Sequence, residues 1–140
     1  MLSVTVDKLL KMPISSNKKA MILVQVTGAL RNLANVDSAH PEISRSLVKR
    51  MCEIFFDKNL NGGKELILNI SRLLSKVSLD ISCAEQMVLS GQMNNFVQAM
   101  SNTHRDNSAV LIRLAYILGN LTTNFDSARS ELNQQSAKSL

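Results

Sequence analysis

Along most of this chain, apolar residues return every three or four positions, the pattern of helices buried along one face. An apolar run over 4–12 is closed by Pro13, and Ile14-Ser15-Ser16-Asn17 then makes a polar break suited to capping the next helix. That helix is predicted over 18–35, with Met21, Ile22, Val26, Ala29, Leu30 and Leu33 as its buried stripe. Pro41 and Glu42 open another, because proline fits a first helical turn and an acid there complements the helix dipole. Ile43, Leu47, Met51, Ile54 and Phe55 form its stripe, and it ends near Lys58, before Gly62-Gly63. A helix over 64–77 follows, carrying Leu66, Ile67, Ile70, Leu73 and Leu74.

Ser82-Cys83-Ala84-Glu85 has the spacing of a capping box and starts a short helix that Ser90-Gly91 breaks. A second short helix spans Met93 to Met100. Asp106-Asn107-Ser108 is expected to cap a long one over 107–123, with Val110, Leu111, Leu114, Ala115, Ile117, Leu118 and Leu121 apolar. Beyond Phe125 the periodicity fades into polar residues, so 126–140 is expected to be a polar tail, a frayed helix or disordered.

Three of these helices end alike: Leu30-Arg31-Asn32-Leu33-Ala34-Asn35, Ser71-Arg72-Leu73-Leu74-Ser75-Lys76 and Leu118-Gly119-Asn120-Leu121-Thr122-Thr123. With Leu33, Leu74 and Leu121 taken as equivalent, the spacings are 41 and 47 residues, near the roughly 40–47 of armadillo and HEAT units. The chain therefore reads as a short stack of helical repeats. Gly28-Ala29-Leu30-Arg31-Asn32-Leu33-Ala34 resembles the end of an armadillo repeat, as does Ala115 to Thr122 after its short, short, long helix order. The resemblance implies an all-α fold: a right-handed α-solenoid of about three armadillo-like repeats over 1–125, near 5–38, 39–80 and 81–125. A HEAT-like stack is the alternative. Tyr116-Ile117-Leu118-Gly119-Asn120-Leu121-Thr122-Thr123 is also similar to a cilium- and flagellum-associated member of that family, which implies a role in building or loading axonemal components.

In armadillo repeats the asparagine of the closing motif lies on the concave face. Positions four and seven residues before it share that face. The resemblance therefore implies a protein-binding surface of Gln25, Gly28 and Asn32, then Leu66, Asn69 and Leu73, then Arg113, Tyr116 and Asn120. Arg31 and Arg72, one position earlier, belong at its edge and suit acidic groups on a partner. A side-chain amide both donates and accepts, so a ladder of asparagines holds an extended chain by its backbone. Alternatively, Asn32 and Asn120 cap or bridge backbone inside the stack. Leu73 interrupts the ladder, and Gly28, Asn69 and Tyr116 stand where nuclear import adaptors carry tryptophan, which argues against nuclear localisation peptides as ligands.

Composition narrows the class. Aromatic residues are 4% of the chain and tryptophan is absent, so the core must rest on aliphatic residues and methionine. No apolar run approaches the roughly 18 residues of a membrane span. The N-terminus lacks a secretory pattern, and Cys52 and Cys83 read as buried reduced thiols, so an intracellular, cytoplasmic protein with no membrane partner is expected. His40 and His104 have no nucleophile, acid or metal-ligand partner at a motif spacing. No catalytic residue, metal or cofactor is expected. A net charge of +5 favours acidic partners, but Lys18-Lys19 and Lys49-Arg50 are too short for a nucleic-acid patch. The expected partner is an extended or helical protein segment; the alternative is a structural fragment of a longer solenoid that self-associates through uncapped ends or only extends the stack.

Overall fold

The computed structural model describes residues 8, 11–12, 15–33, 40–57 and 63–139. Among the described residues there are seven helices and no strand: α1 (Ser16–Leu33), α2 (His40–Phe56), α3 (Gly63–Val77), α4 (Ile81–Leu89), α5 (Met93–Asn102), α6 (Ser108–Asn124) and α7 (Asp126–Ser139). They stack as an α-solenoid. The long helices α1, α3 and α6 form one row, α3 packing on α1 on one side and on α6 on the other. Behind them α2 packs on α3 and α4, while α5 packs on α6 and α7. Repeat architecture of this kind buries its core only between neighbours, so each helix's buried face is decided by the helices flanking it.

That rule explains where the expected stripes hold and where they shift. On α2, Leu47, Met51, Ile54 and Phe55 are buried, whereas the side chain of Ile43 lies outside the described residues. On α3 a broad face closes over Leu66, Ile70, Leu73, Leu74 and Val77, since neighbours press on it from several directions. On α6 Val110, Leu114, Ile117, Leu118 and Leu121 are buried, but Ala115 is exposed. The stripe expected on α1 is displaced. Ala20, Leu23, Thr27 and Leu30 face the core, while Met21 is 70% exposed and Ile22, Ala29 and Leu33 also meet solvent. Packed principally on α3, α1 buries only a narrow strip. Thr27 joins it because its hydroxyl donates to the Leu23 carbonyl at 2.7 Å, so that the buried hydroxyl is paired.

Two capping expectations are corrected. The N-cap of α4 is Asp80, in extended conformation, whose carboxylate accepts from the Cys83 amide at 3.0 Å, so the helix starts one residue before the expected Ser82 box. Asn107 precedes α6 without a side-chain cap. The break at Ser90-Gly91 is as expected: Gly91 has φ +74, a left-handed turn that glycine enters without strain, and α5 starts two residues on.

The segment after Phe125, expected to be a polar tail, a frayed helix or disordered, is helical and forms α7. A single small residue, Ala128, is buried where α7 meets α5 and α6, and Leu132 packs at the core's margin. Arg129 donates to the Thr122 carbonyl at 2.6 Å, adding a positive charge at the C-terminal end of α6, and pairs with Asp126. Relative to α5, α7 stands as α4 stands to α2: each directly follows a long helix of the first row and packs back on the helix before it.

Cys52 and Cys83 are free and fully buried. Burial, helped by the neighbouring Glu53 carboxylate, pushes the Cys52 thiol up from 9.0 to about 12. Because the thiolate is the reactive form, iodoacetamide at pH 8 is expected to leave Cys52 unmodified in the folded protein and to label it in denaturant. Labelling at equal rates in both conditions would contradict its placement. Unfolding releases this thiol to its ordinary range, so above about pH 9 the unfolded state loses a proton that the folded state keeps, and stability falls as pH rises.

Candidate functional site

The helix row α1, α3, α6 opens on a groove of about 610 Å³ lined by Arg31, Arg72, Ser75, Lys76, Leu79, Arg113, Tyr116 and Asn120. Its geometry follows from helical periodicity. Arg72, Ser75 and Lys76 on α3, with Leu79 just past its end, are three and four residues apart and share one face. Arg113, Tyr116 and Asn120 do the same on α6. Arg31 comes from the last turn of α1.

Electrostatically the groove is one-sided: among the described residues that line it, four side chains are cationic and none is acidic. Among the described residues neither Arg72, Lys76 nor Arg113 has an ion-pair partner. Arg31 is held by neutral groups among the described residues: its guanidinium donates to Asn69 Oδ1 at 2.9 Å and, more weakly, to Asn32 Oδ1 at 3.4 Å. Between the cations stand two exposed apolar surfaces, Leu79 at 59% and Tyr116 at 57% exposure. Serines keep the floor low. Ser75 donates to the Arg72 carbonyl at 2.9 Å within α3, and Ser78, just past its end, donates to the Ser75 carbonyl at 2.8 Å.

Of the residues expected on the concave face, Arg31, Arg72, Arg113, Tyr116 and Asn120 come together here. Gln25 and Asn32 are exposed on α1 but do not line the groove. Gly28 is half-buried against Asn69, where a Cβ would lie 3.7 Å from the amide nitrogen. Leu66, Asn69 and Leu73 are corrected: all three are buried, Leu73 to 1% exposure. With α1 and α6 on either side, α3 turns this part of its surface inward and leaves Arg72 and Lys76 facing out. The arginines assigned to the edge are thus the groove's own residues.

The asparagines serve as clasps between helices. Asn69 holds α1 by accepting from Arg31 and donating to the Val24 carbonyl at 3.2 Å. Asn120 reaches from α6 to donate to the Ser78 hydroxyl at 2.9 Å, one residue beyond α3, while still lining the groove. Ser75, Lys76 and Leu79 were missed in the sequence. The available signal was a second register: Arg31, Arg72 and Arg113 each stand 41 residues from the next, whereas the closing motifs drift to 47.

Nothing in the site points to a metal centre; among the described residues no three His, Cys, Asp or Glu side chains cluster as ligands would. No described helix is long and apolar enough to cross a membrane. The chain is similar to armadillo repeat-containing protein 2 of Homo sapiens and of Bos taurus, 25% identical to each over 115 residues, and to that of Mus musculus at 24%. Each match covers 81% of this chain but only 13% of the relative. No protein-family model and no solved structure matches.

Proposed function

We propose that this chain is a non-enzymatic protein-binding scaffold that holds a segment of another protein in the groove across α1, α3 and α6. The observation that carries this reading is the set of cations, without ion-pair partners among the described residues, around exposed Leu79 and Tyr116. Exposed apolar side chains flanked by unpaired charge are what a partner covers and complements. The similarity to armadillo repeat-containing proteins supports a binding rather than a catalytic role. The likeness of Tyr116 to Thr123 to a cilium- and flagellum-associated member supports a place of work in axoneme assembly.

A photo-crosslinking side chain placed at Leu79 tests both parts, with one placed at exposed Glu85 on α4 as control. In extracts of flagellated cells, discrete protein adducts are expected from position 79 and not from 85. Equal labelling from both positions would remove the groove from consideration. The same adducts in extracts of cells without flagella would remove the axonemal assignment.

A further inference from the structure

The groove's cations are arranged as a line, and a line selects a different ligand from a cluster. Arg31, Arg72 and Arg113 come from three successive helices of one row. Neighbouring packed helices lie about 8–10 Å apart, so the backbone positions that carry the outer two arginines are separated by about 16–20 Å. A single phosphate group lies opposite one of these positions and cannot lie opposite all three. An extended polypeptide can, and it advances about 3.3 Å per residue, so one helix step corresponds to about three residues.

We infer that the groove takes an extended acidic peptide with carboxylates at every third residue, one opposite each of Arg31, Arg72 and Arg113. This rests on the proposed function and names the ligand class for the same groove. Side chains between the carboxylates meet Leu79 and Tyr116, so an apolar residue flanked by acids fits the middle of the site. Lys76 stands one turn along α3 from Arg72 and adds attraction without a rigid fork, whereas the guanidinium groups supply paired donors that match a carboxylate. A single-stranded nucleic acid fits less well. Such sites stack successive bases on several aromatic rings, and here Tyr116 is the one aromatic side chain in the lining.

The test is anisotropy titration of the whole chain with a labelled peptide of about ten residues carrying glutamates at i, i+3 and i+6 around a leucine. Its comparison is an isomer of identical composition with the glutamates adjacent. The spaced peptide is expected to bind at least about tenfold more tightly. Arg72→Glu/Arg113→Glu is expected to abolish that preference, with the thermal melt unchanged because both side chains lie at the surface. If charge reversal lowers the melting temperature, Arg72→Gln/Arg113→Gln carries the same comparison. Equal binding of the two isomers, or tighter binding of an oligonucleotide or inorganic polyphosphate of equal charge, would overturn the inference. Position-79 adducts from cell extract would then still stand, so failure of the ligand class is separable from failure of the groove.

Discussion

Replacing Leu73 with asparagine, which would complete the asparagine ladder of the closing motifs, is expected to destabilise the protein by about 3–5 kcal/mol. If position 73 lay on the concave surface, the change would be nearly neutral, because an exposed amide is satisfied by water. The structure puts Leu73 in the core at 1% exposure, within α3 and among Ile70, Leu74 and Val77. The substitution exchanges an isobutyl group for an amide of similar size, so little cavity opens. What is lost is the transfer free energy of the hydrocarbon, about 1.5–3 kcal/mol. Desolvation of an amide without partners adds about 1–3 kcal/mol. Thermal melts followed by circular dichroism should show a fall of more than about 10 °C for a chain of this size. A melting temperature within a few degrees of the parent would mean that Leu73 is exposed and that the groove is a residue out of register.

Phe96→Ala comes next, at about 3–5 kcal/mol. Phe96 is fully buried on α5, and its ring lies 5.1 Å from that of Phe56 at 69°, an edge-to-face contact that joins α5 to the end of α2. Phe56 is itself edge-on to Phe55 at 5.0 Å. Because energy in a stacked solenoid passes between neighbours, the loss should be local before it is global. Amide hydrogen exchange is expected to accelerate first across α5, α6 and α7, while the clasp of Arg31 and Asn69 between α1 and α3 retains its protection. Uniform acceleration along the chain would show that the stack opens as one cooperative unit.

Helix positions were readable because the evidence for them is local. Six of the seven helices among the described residues were placed from three- and four-residue periodicity, glycine breaks and proline, all of which act within a turn or two. Even there one cap was misplaced: the Ser82 box has the right spacing, but the extended backbone and the side-chain hydrogen bond make Asp80 the N-cap. The α7 helix was harder to see because its docking depends on Ala128 and Leu132, too few apolar residues to make a periodic pattern. The displaced stripe of α1 has the same origin, since Met21 and Leu23 are equally apolar and only the position of α3 separates them.

By itself the sequence determined that this protein is a stack of helices, where six of the described helices begin and end within a residue or two, and that Arg31 and Arg72 stand in the closing motifs. Periodicity fixes an angle around each helix but not which angle faces a neighbour. The tertiary structure decided that Leu66, Asn69 and Leu73 turn inward, that Asn69 and Asn120 clasp neighbouring elements, and that Arg31, Arg72 and Arg113 share one groove. The reason is geometric. One residue of register rotates a side chain by about 100°, enough to move it from the core to the binding surface.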